Sequence, residues 1–202
     1  TLNEERNLLK EIQERERNNT SGPGGFGNSI NISVDTQSVS KQDQNKFNQY
    51  VETWRTFVTG FIAEDVDSQM ELFADDLKWS QPVYNGNQIS GKADLRAVIE
   101  TWQKDFQVTS FAEAEGLIGD DENPNPAGFY SGSYFSTGTP SSSPNGLRVY
   151  GTWYWTHTES GTEGGNKWYG ILTFNEEGKI NSFTDWFDAG GVQDQIEKAL
   201  EN

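Results

Sequence analysis

Aromatic residues are concentrated in one part of this chain, and this distribution most constrains what the chain can fold into. The 202 residues include 12 Phe, 7 Trp and 7 Tyr, and 25 of these rings lie between Phe47 and Phe187. Large rings bury more apolar area per residue than most other side chains. The sequence therefore predicts one folded domain over residues 43–202.

Charge and cysteine content exclude several classes of function. Lys and Arg number 15 against 31 Asp and Glu, which gives a formal net charge of −16. Binding to phosphate backbones or anionic membranes needs clustered basic residues, so we expect no nucleic-acid partner. The chain has no cysteine, which excludes disulfides, zinc–thiolate sites and a thiol nucleophile. No apolar run approaches the roughly 20 residues of a membrane span. We expect no cofactor and no metal site, with one loop discussed below as an open question.

Residues 1–42 are predicted to form an N-terminal extension. Residues 1–18 have the pattern of a charged helix with a narrow apolar stripe at Leu8, Leu9 and Ile12, and a Gly- and Pro-rich stretch follows. This extension is either a tether or a segment that packs on the domain. Because the first residue is Thr1 and the composition is acidic and cysteine-free, an exported or surface-tethered location is slightly favoured over a cytoplasmic one.

From Phe47 onward, the spacing of apolar residues first predicts helices and then strands. Apolar residues recur at three- and four-residue steps over 47–62, 66–73 and 91–106, with a short strand over 77–80. Runs rich in aromatic and β-branched residues follow, separated by turn formers, and predict strands over 108–117, 128–136, 147–158, 167–174 and 179–187. The fold class is α+β, with helices on one face of a curved sheet.

An acidic loop over 119–125 leaves one question open. Asp120, Asp121 and Glu122 with Asn123 and Asn125 could offer oxygen ligands to Ca²⁺, but the spacing of an EF-hand is missing. A solvated loop is the simpler interpretation.

Two segments resemble one known superfamily. LFADDLKWSQPV, followed by a Gly before the third helix, and WYGILTFNEEGKINSFTDWFDAGGVQDQI are similar to the start and the end of the nuclear transport factor 2-like superfamily, specifically its SnoaL-like (polyketide cyclase and ketosteroid isomerase-like) branch. The resemblance covers about residues 47–198. It implies a cone-shaped, curved antiparallel sheet with three covering helices around an open pocket, and a homodimer.

The same resemblance argues against ketosteroid isomerisation. The positions that carry the proton shuttle and the two oxyanion donors of those isomerases fall here on Gln81, Phe57 and Gly170. Gln81 cannot take up and return a substrate proton, and Phe57 and Gly170 offer no side-chain donor to an enolate.

The resemblance to SnoaL-like cyclases implies a different pair, His157 and Asp185. Alternation along a strand places His157 on the face of Trp153 and Trp155, and Asp185 on the face of Phe183 and Phe187. A partly desolvated aspartate is a plausible general acid or base, and histidine could relay its proton. The alternatives are a surface histidine at a strand end and a buried carboxylate held by backbone donors.

The expected ligand is a small apolar or aromatic molecule in an aromatic-lined pocket. Cofactor-free acid–base chemistry of the cyclase, dehydratase or isomerase kind, with Asp185 and His157, is one hypothesis, and a non-catalytic ligand-binding or protein-assembly module is the other. The predicted ligand-contacting residues are Trp54, Phe57, Phe61, Trp79, Tyr84, Trp102, Trp153, Trp155, Trp168, Phe183 and Phe187.

Overall fold

The structure is a computed structural model and describes residues 40–122, 124–131, 144 and 146–201. The predictions for residues 1–39 therefore lie outside the described residues. Within the described residues, no helix is long and apolar enough to cross a membrane.

Four helices are present in the described residues. α1 spans Lys41–Ile62, α2 spans Val66–Glu71, α3 spans Lys92–Asp105 and α4 spans Ala189–Leu200. α1 begins six residues before the predicted start because Ser40 caps it, its Oγ accepting from the backbone N–H of Asp43 at 3.0 Å. The first turn carries no apolar residue, so hydrophobic periodicity could not reveal it.

Seven strands are found in the same described ranges. Their bounds are Phe73–Ser80 (β1), Ile89–Ser90 (β2), Phe106–Glu113 (β3), Phe129–Ser131 (β4), Gly146–His157 (β5), Glu163–Phe174 (β6) and Ile180–Phe187 (β7). Residues 132–136 of the strand predicted over 128–136 lie outside the described residues. β1 begins earlier than predicted and β2 was not predicted.

The strands form one curved sheet in the order β2-β1-β7-β6-β5-β3, and β4 also pairs with β5. The α+β class and the curved sheet are confirmed, and the sheet, which was expected to be antiparallel, is mixed through one parallel pair. β1 pairs in parallel with β7, with Trp79 opposite Phe183, while the remaining pairs are antiparallel. The two strands of this parallel pair lie about 100 residues apart in the chain. Their pairing therefore cannot be predicted from a local sequence pattern.

The main core lies between the sheet and helices α1 and α3. From α1, Trp54 stacks on Trp168 of β6 with ring centroids 4.7 Å apart, and only 1% of Trp54 is exposed. From α3, Leu95 and Ile99 are buried in the same core. The helical stripes predicted from sequence therefore face the sheet.

α4 adds a fourth covering helix to the three that were expected. Its Val192 and Ile196 pack with Trp155 in a second, smaller cluster. Gln195 anchors it to β6, because its side-chain amide accepts from the N–H of Gly165 at 3.1 Å and donates to the carbonyl of Gly165 at 3.0 Å.

Candidate functional site

A cavity of about 200 Å³ lies between the helices and the inner face of the sheet. The helices α1 and α3 form one side of the cavity, and the strands of the sheet form the other side. The segment after β1 forms its rim. The whole lining is called the wall below. The lining residues are Trp54, Phe57, Phe61, Trp79, Gln81, Pro82, Val83, Leu95, Val98, Ile99, Trp102, Val108, Trp153, Trp155, Asn166, Trp168, Phe183, Asp185 and Phe187.

The wall is mostly aromatic, and six of the seven tryptophans belong to it. Trp153 contacts Phe61 edge-to-face at 5.4 Å, which joins β5 to α1. Trp102 contacts Phe187 edge-to-face at 5.7 Å, which joins α3 to β7. Rings locked in this way cannot easily collapse into the cavity, so the space is preserved by packing.

Asp185 is the one charged residue among the described residues that line the cavity, and 7% of it is exposed. Its two carboxyl oxygens are held separately. The indole N–H of Trp79 donates to Oδ1 at 3.0 Å, and the indole N–H of Trp168 donates to Oδ2 at 3.1 Å. The two indoles fix the orientation of the carboxyl group and leave each oxygen able to accept a further hydrogen bond.

The protonation of Asp185 is shifted by its surroundings. Burial raises its pKa from the ordinary 3.8 to about 6, while hydrogen bonds from Trp79, Trp168 and its own backbone N–H oppose the rise. Burial dominates because neutral donors cannot replace the hydration of a full charge. The group therefore changes charge close to neutral pH.

Two glycines on β6 make room for this arrangement. A Cβ at Gly170 would lie 2.1 Å from the Trp168 ring, and a Cβ at Gly164 would lie 2.3 Å from the Trp155 ring. Gly170 is also the cross-strand partner of Asp185. The indoles lie flat over these two positions, as happens where an aromatic ring covers a strand glycine.

Three further polar groups line the cavity. Asn166 accepts from the indole N–H of Trp155 at 3.0 Å, which leaves its NH₂ group without a partner in the described residues. Gln81 donates to Ser90 Oγ at 2.7 Å, which leaves its carbonyl oxygen without a partner among the described residues. A bound molecule could pair with either of these two groups. The buried indole N–H of Trp54 also has no hydrogen-bond partner in the described part of the chain.

The fold of this chain is similar to that of several solved structures. The sequence matches no family model and no curated protein. Among solved structures, a candidate isomerase from Bacillus subtilis is 18% identical with a TM-score of 0.55, covering 76% of this chain and 96% of that one. AclR from Streptomyces galilaeus, a candidate hydroxylase, is 11% identical with a TM-score of 0.56, covering 75% and 98%.

A candidate polyketide cyclase from Xanthomonas campestris pv. campestris is also similar, with 10% identity, a TM-score of 0.51 and coverage of 75% of this chain and 98% of that one. The chain has the nuclear transport factor 2-like fold. The predicted fold is thereby confirmed, with helices covering one face of a curved sheet. At identities this low, the structural similarity establishes the fold alone. The activity has to be inferred from the residues of the site.

Within this nuclear transport factor 2-like domain, most predicted ligand-contacting residues share the cavity wall. The ten that do are Trp54, Phe57, Phe61, Trp79, Trp102, Trp153, Trp155, Trp168, Phe183 and Phe187. Tyr84 does not: it lies in the turn before β2 with 82% of its surface exposed. Pro82 and Val83 of the same turn take its place at the rim.

His157 does not line the cavity with Asp185. It is the last residue of β5, opposite Phe106, and its Nδ1 lies 2.8 Å from Ser160 Oγ and accepts from the Ser160 backbone N–H at 3.3 Å. These contacts hold the ring at the turn between β5 and β6. No hydrogen bond joins it to Asp185 within the described residues, so the predicted pair is not assembled in this structure.

Asn166 and the α3 residues Leu95, Val98 and Ile99 line the cavity but were not predicted to contact a ligand. The α3 stripe was recognised and assigned to the core. Asn166 was missed because β6 was predicted to begin at residue 167, whereas it begins at Glu163. Extending the alternation of Trp168 and Gly170 backwards by one step would have placed Asn166 on the inner face.

No calcium or other metal site emerges from the described residues. They contain no group of three or more His, Asp or Glu side chains placed to hold a metal ion. Asn123 of the acidic loop lies outside the described residues.

Proposed function

We propose that this domain binds a small apolar or aromatic molecule in the cavity and that Asp185 recognises its polar group. The observation that carries the proposal is the carboxyl group fixed by two indoles in an otherwise uncharged, aromatic wall. Small-molecule sites typically combine apolar walls with a few oriented polar groups. The NH₂ group of Asn166, which has no partner among the described residues, is a donor for an oxygen elsewhere on the ligand.

Acid–base catalysis by Asp185 is the second candidate. It is supported by the pKa of about 6, which suits a group that gains and loses a proton near neutral pH. Such a reaction also needs a complementary acid or base, and Gln81 and Asn166 can orient a substrate but cannot exchange protons. Since His157 lies at the turn, binding is the better-supported function.

The binding proposal is tested with naphthalen-2-ylmethanol, a neutral aromatic probe with one hydroxyl group. Isothermal titration calorimetry of the full chain should show saturable binding. Val98→Phe fills part of the cavity from α3 and should weaken binding by about 10-fold or more.

Val58→Phe is the matched control, because Val58 is a half-buried residue of α1 that does not line the cavity. It should leave the affinity within about twofold. Equal effects of the two substitutions, or no binding to the wild-type chain, would overturn the proposal.

A further inference from the structure

The carboxyl group of Asp185 has no positively charged partner in the part of the chain that the structure describes. Trp79 of β1 and Trp168 of β6 face it with neutral indoles, and Gly170 of β6 lies opposite it in the sheet. The side chains that α1, α3, β3 and β5 contribute to the cavity are uncharged. No Lys, Arg, His, Glu or second Asp lines the cavity among the described residues.

An unpaired buried carboxylate is costly, because the interior replaces only part of its hydration. Burial raises the pKa of Asp185 to about 6, yet at pH 7.5 most molecules still carry the negative charge. Structures that retain such a charge usually pair it with a cation. Here the described wall offers none, so the missing partner has to enter the cavity from outside.

The rest of the cavity also suits a cation. The faces of Trp and Phe rings attract positive groups, most strongly where water is excluded. The carbonyl oxygen of Gln81 is a free acceptor on the same wall. The net charge of −16 raises the local concentration of cations around the molecule as a whole.

We propose that the cavity selects an organic monocation, an aromatic or alicyclic body with a protonated amine that pairs with the carboxylate of Asp185. The inference rests on the proposed binding function and adds the class of ligand. The apolar body fills the space between α1, α3 and the sheet. The ammonium group donates to the lone pairs of Asp185 that the two indoles leave free.

A pair of isosteric probes tests the charge preference directly. Naphthalen-2-ylmethanamine and naphthalen-2-ylmethanol differ only in an ammonium or a hydroxyl group at the same position. By calorimetry with the full chain at about pH 7.5, the amine should bind about 10-fold or more tightly than the alcohol. In Asp185→Asn the amine should lose this advantage while the affinity for the alcohol changes little.

Asp188→Asn is the matched control. Asp188 lies three residues further along the chain, caps α4 by accepting from the N–H of Gly191 at 2.9 Å, and does not line the cavity. Asparagine also caps helices well, so this variant removes the same charge with little structural effect. The preference for the amine should survive in it.

A pH series on the wild-type chain tests the same idea without a substitution. Between about pH 7.5 and pH 5 the amine stays protonated, whereas Asp185 gains a proton. The ratio of amine to alcohol affinity should therefore fall as the pH is lowered.

Equal binding of the two probes, a preference that persists in Asp185→Asn, or a ratio that does not change with pH would overturn the inference. If the alcohol binds and Val98→Phe abolishes its binding, the proposed binding function stands even when the amine has no advantage. If neither probe binds, the inference fails together with that function.

Discussion

Asp185 shows how a single residue can be placed by distant parts of the chain. Trp79 lies 106 residues before it and Trp168 lies 17 residues before it, yet both donate to its carboxyl group. The indole N–H is a donor only, so each tryptophan can serve the carboxylate but cannot neutralise it. The result is an oriented carboxyl group whose charge depends on pH near neutrality.

This environment predicts an unusual pH dependence of stability. The carboxyl group titrates near 3.8 in the unfolded chain and near 6 in the folded one, so the folded state binds the proton more tightly. Its stabilising contribution is full below about pH 3.8 and is lost as the pH rises through 6. Relative to Asp185→Asn, the wild-type unfolding free energy should fall by about 2–3 kcal/mol between pH 4 and pH 7.

Urea denaturation of both proteins across this pH range measures the difference, and other carboxyl groups cancel in the comparison. Parallel pH profiles would mean that Asp185 titrates normally in the folded state.

Among the elements, β6 contributes most to the geometry of the site. Its inner face carries Gly164, Asn166, Trp168 and Gly170 in alternation. The glycines provide the space that the indoles of Trp155 and Trp168 occupy. Because of these glycines, the two indole rings can lie close against the sheet.

Gly170→Ala tests this role of β6. The added methyl group would meet the Trp168 ring at 2.1 Å, so the ring must move away from Asp185. We expect a loss of about 1–3 kcal/mol in the free energy of unfolding, the usual cost of overpacking. In NMR spectra the indole N–H resonance of Trp168 should shift.

Gly190→Ala is a suitable control, since its methyl group would lie 3.5 Å from Oδ1 of Asp188, which is an ordinary contact distance. Alanine favours helices over glycine, so this variant should be neutral or up to about 1 kcal/mol more stable. If Gly170→Ala is no more harmful than the control, the packing argument fails.

At the scale of the whole molecule, the prediction of a homodimer stays open to test. The sheet face opposite the cavity carries a row of rings across four strands, formed by Tyr130, Tyr150, Tyr169 and Trp186. Trp186 is 47% exposed, and a second copy of the chain could cover this row. Because each copy carries a charge of −16, association should strengthen with salt.

Light scattering coupled to size-exclusion chromatography should give twice the monomer mass at about 0.3 M NaCl. Trp186→Glu should give a monomer, whereas Tyr84→Glu, at an exposed ring away from this face, should stay dimeric. A monomeric wild-type chain would contradict the prediction.

Much of the domain could be predicted from the sequence because it depends on periodicity. The spacing of apolar residues along α1 and α3 and the alternation around Trp153, Phe183 and Asp185 determine which side chains face the core. These local patterns led to the α+β class, and together with the family resemblance they led to the inward Asp185 and to ring residues such as Trp153 and Phe183 that line the cavity.

Only the tertiary structure decided where along each element the cavity lies and which distant segments meet there. Alternation places His157 on the same face as Trp155. It cannot show that β5 ends at His157 or that the imidazole ring contacts Ser160 in the following turn. The parallel pairing of β1 with β7 brings Trp79 to Asp185, and this register depends on the packing of the whole sheet. A periodic pattern specifies the face of a residue, whereas depth and partners depend on contacts between residues far apart in the chain.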